Sequence, residues 1–540
     1  MISTNEEEKG RVPAAMDREQ QERLLESSRE AVRALNPPII TANCKTGKLT
    51  GQLAFAVFAV TLSSFQFGYH IGCINAPQKL IEKFIGASHK KMFGSTLGTD
   101  GFVSITMAWA TAVSIFAVGG MIGGLLSGAA ADRFGRKGAL MLNNIIAFIA
   151  AVLMTMSKYV EAYPMIIVGR LLIGINCGLS SGLVPMYLTE VSPVNLRGMI
   201  GSIHQLLVTI AILVSQVLGL SFIFGSEARW PYIFAFTVVP SAFQLLTLPA
   251  CVESPKYTLI VKGQDTQAER DLKRLRGTDE VDAEIADMKE ESYAAANQEK
   301  VTIADMFGPA LRKPLIIAVM MMLSQQLSGI NVAMFYSNSV FMNAGLDQAT
   351  ANYATIGMGA VNVLMTVIAV WLVDHPKFGR RSLHLTGLTG MLFSALLIFA
   401  SLRLYNSGVV RNVPGSEYGW AAYGSIVFII TFVISFATGP GAIPWFFVSE
   451  LFHSNERGTA NSIAVAVNWT ANLFVALSFP ILHAWINEYS FLLFCAFLVF
   501  FIYYTFKFVP ETKGKTVDEV LAVVNGDSAS RPEDVEMESK

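Results

Sequence analysis

The sequence predicts an all-α membrane protein, twelve transmembrane helices in two six-helix halves with a helical segment between the halves. Three observations predict it. Of 540 residues, 52% are hydrophobic and only 15% charged, where soluble domains carry about 25% charge, and the mean hydropathy is +0.46. The apolar stretches are continuous and about 20 residues long, as membrane helices need, not the alternating stretches of about ten that membrane strands use. The second half of the chain also repeats the motif order of the first. Bulk properties exclude other classes. A net charge of −1 with basic residues scattered over loop ends offers no surface for nucleic acid, so membrane lipid is the expected surrounding. The five cysteines, Cys44, Cys73, Cys177, Cys251 and Cys495, are widely spaced and mostly apolar in setting, so free thiols are expected. The sequence has no CxxC or Cys/His metal spacing, no phosphate loop and no nucleophile–base arrangement. Neither a metal, a cofactor nor enzymatic activity is expected.

Residues 1–48 are polar, with a possible short helix over Met16–Leu35 that Asn36-Pro37-Pro38 ends, and read as a cytoplasmic tail. Spans follow at 52–73, 104–131, 138–157, 163–187, 198–223 and 231–252, so the first six-helix half is 49–252. Residues 253–312, charged and amphipathic, are expected to form short helices against the membrane face. The second half, 313–508, holds spans at 313–342, 350–373, 382–404, 418–450, 459–482 and 490–508; 509–540 is a polar tail. Basic residues cluster in the short loops after spans 2 and 8 (Arg133, Arg136, Lys137; Lys377, Arg380, Arg381) and after spans 4 and 10 (Arg197; Arg457). Even-numbered spans are therefore expected to end in the cytoplasm, with both termini. Lys79, Lys83, Lys90 and Lys91 in the first outer loop run against that rule, which is weaker in long loops. The sequon Asn468-Trp469-Thr470 lies inside span 11, out of reach of glycosylation.

Span 7 carries the least membrane-like stretch. Gln325, Gln326 and Asn331 have no use on a lipid face, because polar groups at membrane depth are expensive unless they face a bundle interior or a cavity. Asn331 is expected near the angular position of the glutamines after a turn and a half, making a strip of neutral hydrogen-bonding groups suited to a hydroxyl-rich solute. Gly329 weakens the helix there, and broken helices are tolerated where they line a cavity. The competing reading is that these amides bond neighbouring helices together.

The repeat is specific. Asp132-Arg133-Phe134-Gly135-Arg136-Lys137 answers to Asp374-His375-Pro376-Lys377-Phe378-Gly379-Arg380-Arg381. Glu190 and Arg197 follow Pro185 as Glu450 and Arg457 follow Pro444, with a seven-residue spacing in both. Val252-Glu253-Ser254-Pro255-Lys256 answers to Val509-Pro510-Glu511-Thr512-Lys513. Two six-span repeats imply an alternating-access carrier with its site near the midplane, between the halves. The charges recurring in both halves suggest a latch that holds the cytoplasmic side shut in one state, carboxylate–guanidinium pairs being directional; the alternative is topology signalling alone.

Together these segments resemble the sugar porter family of the major facilitator superfamily, most closely its animal facilitative glucose transporters. The likeness covers roughly residues 50–515. It rests on Phe67-Gly68-Tyr69 with Ile74-Asn75-Ala76-Pro77, Asp132–Lys137, Gly169-Arg170, Pro185–Gly198, Glu253-Ser254-Pro255, Gln325–Asn331, Gly379-Arg380-Arg381, Gly439–Trp445, Asn468-Trp469-Thr470 and Pro510-Glu511-Thr512. The resemblance implies a facilitative D-glucose or related hexose carrier of the plasma membrane. It implies sugar contacts at Gln205, Gln325, Gln326, Asn331, Asn362, Trp445 and Asn472, amides that suit vicinal hydroxyls and an indole that covers a pyranose face. It also implies an outer gate at Phe335 and Tyr336 with Asn75 facing it. The cytoplasmic charge latch expected from the repeat comprises Arg133, Arg136, Arg170, Glu190, Arg197, Glu253, Arg380, Arg381, Glu450 and Arg457. For Gln216 in span 5 helix–helix bonding is expected, and for Trp469 packing beside the site. The glycines and prolines of Gly439–Pro444 are expected to break span 10.

Three positions depart from the glucose-type pattern. Met322 replaces a glutamine in the residues before the paired glutamines, Ala437 stands where a glutamate is usual, and His70 follows Phe67-Gly68-Tyr69 where proton-coupled relatives carry aspartate and many uniporters asparagine. His70 is the one titratable group here suited to couple a proton to sugar. The rival readings are therefore a proton–hexose symporter and a non-transporting sugar sensor on the same fold. The short C-terminal tail argues against the sensor.

Overall fold

The computed structural model describes residues 47–98, 104–296, 301–375, 377–410, 419–515 and 517–525. The expected N-terminal helix at Met16–Leu35, Cys44 and the end of the C-terminal tail lie outside these residues. Among those described, the chain is helical throughout, apart from one isolated bridge between Gly98 and Ser104.

Twelve spans are present among the described residues. Spans 1 to 5 are Gly51–Gly72, Ile105–Phe134, Arg136–Val160, Pro164–Val191 and Arg197–Leu218. Span 6 runs Pro231–Ala250, and span 7 is two helices, Arg312–Leu327 and Ile330–Asn343. Spans 8 and 9 are Gln348–Asp374 and Arg380–Val410; span 10 is again two helices, Gly419–Thr438 and Ile443–Leu451. Spans 11 and 12, Ser454–Ile486 and Ser490–Phe508, are joined by a tight turn at Asn487–Tyr489. Long apolar side chains such as Phe58, Leu125, Ile145, Leu246, Leu364, Phe393 and Phe474 point outward from the bundle, as lipid-facing residues must. The loop between spans 1 and 2 contains a helix, Gln78–Phe93, that the lysine-rich reading passes over. Ile81, Ile85 and Ser88 bury its inner side at the three- and four-residue spacing of an amphipathic helix. Short helices Pro255–Ile260, Asp265–Arg276 and Asp282–Ala296 follow the first half, and Val517–Asn525 follows the second.

The cores set the geometry of the bundle. At the end that carries the repeated Arg and Glu residues, here called the basic face, each half has its own apolar cluster. One gathers Leu53, Leu140, Leu183, Tyr187 and Leu275; the other gathers Leu315, Met322, Phe447, Leu451 and Val520. Toward the opposite face a single cluster takes Tyr69, Trp109 and Phe116 from the first half together with Phe335, Tyr336, Phe341 and Phe479 from the second. The halves are thus packed together away from the basic face.

The duplication is visible atom by atom at the basic face. Arg136 is clamped by Glu190, Nε to Oε2 at 2.9 Å and Nη2 to Oε1 at 2.9 Å, and Glu253 caps span 3 by accepting from the backbone N–H of Arg136 and Lys137, both at 3.1 Å. In the second half Arg380 Nε lies 3.4 Å from Glu450 Oε1, and Glu511 accepts from the backbone N–H of Arg380 and Arg381 at 2.7 and 3.2 Å. Ser254 and Thr512 each donate to the clamping glutamate. Glycine is needed before each arginine: a Cβ at Gly135 would lie 2.4 Å from Glu253 Oε2, and one at Gly379 1.9 Å from Glu511 Oε2. Gly135 also takes φ 78°, in the left-handed region.

Candidate functional site

Span 7 breaks at Ser328-Gly329, where Gly329 adopts φ 93°, a left-handed conformation that glycine takes without penalty. The break does more than weaken the helix. On a continuous helix Gln326 and Asn331 are five residues apart, about 140° off alignment, so the expected strip is not a helical face. The bend at Gly329 instead brings Asn331 Nδ2 to donate to Gln326 Oε1 at 2.5 Å. Span 10 breaks at Gly439–Ala442, as the sequence suggested, and the freed carbonyls of Pro440 and Gly441 accept from Gln325 Nε2 at 3.0 and 2.8 Å. A glutamine of one broken helix thereby satisfies the exposed backbone of the other.

Span 11 completes a five-amide cluster. Asn468 donates through Nδ2 to Gln325 Oε1 at 2.8 Å and accepts at Oδ1 from Gln326 Nε2 at 3.0 Å. Asn472, one turn on, donates to Asn331 Oδ1 at 3.3 Å and Gln326 Oε1 at 3.4 Å. All five amides are buried, and Asn472 Oδ1 has no partner. The cluster carries no formal charge and keeps acceptor capacity to spare. Asn468 is the residue the sequence reading leaves out of the sugar contacts, although its segment is among those that carry the family likeness. Its signal was the four-residue spacing to Asn472, which puts both on one helical face.

The remaining expected contacts are placed apart from this cluster. Gln205 is half-buried on span 5 and Asn362 is buried on span 8. Trp445 is half-buried on span 10, packed against the second half's basic-face core. None has a side-chain hydrogen bond to the five amides among the described residues. Met322 occupies its departure from the glucose-type pattern usefully, its sulfur 3.5 Å from Asn468 Nδ2. Trp469 lies between the halves, tilted against Phe67 and edge-on to Phe116 with ring centroids 5.8 and 5.9 Å away. A Cβ on Gly120 would meet its ring at 2.5 Å, so the packing reading fits it.

The expected gate residues lie where the halves meet, away from the basic face. Asn75, in the turn after span 1, donates to Ser337 Oγ at 2.7 Å and to the Met334 carbonyl at 3.2 Å, and accepts from the Asn338 N–H at 3.2 Å. Ser339 Oγ donates to Gln78 Oε1 at 2.7 Å. Tyr336 donates to the Ala476 carbonyl at 2.9 Å and packs on Phe479, with Phe335 buried beside it. This face is closed.

Two expectations need correction. Arg170 is not among the basic-face charges. It sits six residues into span 4 from the opposite end, fully buried, with its guanidinium 4.4 Å over the Phe116 ring and Nη1 donating to the His70 carbonyl at 3.0 Å. Helix direction decides this, since span 4 starts at the face where span 3 ends. Gln216 does not bond a neighbouring helix among the described residues: it is buried, and neither its Oε1 nor its Nε2 has a partner among them. Elsewhere in the set, the ion pairs of Arg136 and Arg380 lie within one half each. Arg133 stacks on Phe134, Arg457 donates to the Phe452 carbonyl at 3.2 Å, and Arg197 is exposed. His70 is fully buried with Nε2 2.8 Å from Thr237 Oγ1.

A duplicated twelve-span bundle with two broken helices meeting at a neutral amide cluster is a membrane carrier of the major facilitator fold. The sequence profile described as "Sugar (and other) transporter" matches residues 55–523, so the chain belongs to that sugar transporter family. It is 60% identical over 476 residues to Facilitated glucose transporter protein 1 of Caenorhabditis elegans, covering 88% of this chain and 91% of that one. It is 42% identical over 497 residues to the mouse Solute carrier family 2, facilitated glucose transporter member 3, covering 92% and 97%. Among solved structures, a partially occluded inward-open form of the xylose transporter XylE from E. coli is similar, with TM-score 0.69, 26% identity and 86% and 100% coverage. So is the proton:xylose symporter XylE bound to 6-bromo-6-deoxy-D-glucose, with the same TM-score and identity and 88% and 100% coverage.

Proposed function

We propose that this chain is a facilitative D-glucose uniporter of the plasma membrane, and not an enzyme, with its basic face and both termini in the cytoplasm. The five-amide cluster on broken span 7 and continuous span 11 carries the proposal. It offers paired donors and acceptors to vicinal hydroxyls without any fixed charge. The 60% identity to a nematode facilitated glucose transporter supports the choice of hexose. A handful of bonds at about 1 kcal/mol net each, less the cost of immobilising the sugar, leaves about −4 kcal/mol, or roughly millimolar binding. Such binding is weak enough for release. Gln205, Asn362 and Trp445 are the remaining contacts in this reading. Phe335, Tyr336 and Asn75 close the outer side.

The cytoplasmic residues Arg133, Arg136, Glu190, Arg197, Glu253, Arg380, Arg381, Glu450 and Arg457 form the latch of the opposite state in this reading. Uniport is favoured over symport by the surroundings of His70. Thr237 Oγ1 lies 2.8 Å from its Nε2 and Cys73 Sγ 3.7 Å from its Nδ1, so among the described residues neither ring nitrogen meets a carboxylate that a coupled proton would be exchanged with. The test is uptake of labelled D-glucose into liposomes holding the purified protein, with fructose as competitor and with and without an inward proton gradient. Saturable uptake that stops at equal concentrations and ignores the gradient is expected. Accumulation above equilibrium with protons would make it a symporter, and binding without uptake a sensor.

A further inference from the structure

Gln216 has no place in the amide cluster, yet it is 98% buried and both polar atoms of its amide lack a partner among the described residues. It faces span 8 at Gly359: a Cβ built on that glycine would lie 2.2 Å from Gln216 Oε1 and 3.3 Å from Leu213 Cδ1. Span 5 belongs to the first half and span 8 to the second, so the amide is shut into a seam between halves. Its position along the helix is informative. Gln216 is eleven residues past Gln205, about 20° from three full turns and about 16 Å further out. Asn362 lies three residues inward of Gly359 and so shares its side of span 8. The buried amide therefore stands on the same faces of spans 5 and 8 as the proposed sugar contacts, nearer the side that Asn75 and Tyr336 close.

An amide carrying one donor pair and one acceptor in a buried seam is costly to hold without partners. Separating spans 5 and 8 at their outer ends exposes it to water and to any hydroxylated solute arriving from that side. We propose that Gln216 is a positioning residue for transport. Its unpaired amide opposes closure of the outer seam and sets the balance between outer-closed and outer-open carriers, while Gly359 supplies the room that lets the seam shut at all. The proposal rests on the alternating-access reading above. It adds a residue that biases the cycle without joining the amide cluster.

The test uses full-length protein in liposomes, spin-labelled at Lys79→Cys and Ala349→Cys, two exposed positions flanking the outer rim. A Cys44→Ser background is used, since the other four cysteines are buried. Distances are read without sugar. Gln216→Leu, which removes the unpaired groups and keeps the volume, is expected to lower the ratio of outer-open to outer-closed carriers about tenfold. Gly359→Ala, whose methyl meets the amide, is expected to shift the ratio the other way. Gln216→Met replaces the leucine variant if the latter does not fold. An unchanged distance distribution in the Gln216 variants, or a shift toward the open form, overturns the proposal. Glucose uptake by unlabelled wild-type protein in parallel tests the transport reading separately, because the distance measurement needs no sugar.

Discussion

At the residue scale, the amide cluster separates two kinds of role. Asn468 is held by both glutamines, so Asn468→Leu removes one of two partners from Gln325 Oε1 and from Gln326 Nε2, which keep only their bond to each other at 3.2 Å and are left under-satisfied beside a buried leucine. A buried polar group deprived of its partner costs about 1–3 kcal/mol. The expected outcome is a lower thermal midpoint for the purified protein together with impaired uptake. Asn472 has an unpaired Oδ1 and two long bonds, so it has less to lose structurally. Asn472→Ala is expected to raise the KM for glucose roughly fivefold to tenfold, the value of about 1 kcal/mol, with a melting curve close to that of the wild type. Arg170 behaves differently again. Its planar group stacks on Phe116 while donating to the His70 and Ala112 carbonyls, a geometry an ammonium does not reproduce. Arg170→Lys is therefore expected to fail to restore the stability lost in Arg170→Leu, as thermal unfolding in the same detergent would check.

At the element scale, the broken spans are coupled. Gln325 of span 7 binds the carbonyls that the break in span 10 releases, so neither half-helix tilts without straining the other. A cavity of about 20 Å³, room for about one water, lies behind the span 7 break, lined by Gly329, Val332, Phe491 and Phe494 among others. Gly329→Ala attacks this hinge twice. Alanine disfavours the left-handed conformation by about 1–2 kcal/mol, and its methyl would lie 2.9 Å from the Phe494 ring. Uptake is expected to fall more than tenfold while binding of glucose, measured by calorimetry, is weakened less. Equal losses in both would place the fault in the site rather than in its movement.

At the scale of the whole molecule, the linker helices tie the first half to its basic face. Thr50 donates to the Leu275 carbonyl at 2.7 Å, and Arg276 donates to the Val191 carbonyl at 2.7 Å while clamping Glu284. Asp271 is buried in this contact, and burial pushes its carboxyl above the usual range. An acid whose folded pKa is raised binds more protons folded than unfolded, so stability falls as pH climbs from the unfolded pKa, about 4, through the raised folded one. Asp271→Asn is expected to raise the thermal midpoint at pH 7 and to flatten its decline between about pH 4 and pH 7.

The sequence by itself determined the twelve spans, the duplication and the breaks at Gly329 and Gly439–Pro444, because span length, motif order and glycine placement are local and leave periodic traces. It marked Gln325, Gln326 and Asn331 as polar groups that lipid does not tolerate, and Asn472 came in only through the family resemblance. It did not assign Asn468 to their company, did not reveal that the helix break rather than the helix face joins Asn331 to Gln326, and misplaced Arg170 and the bonding of Gln216. Those outcomes depend on which helices cross, in which direction and with which bend. Only the tertiary structure decides them, because a hydrogen bond between spans 7 and 11 forms across more than a hundred residues of chain, and no local pattern records it.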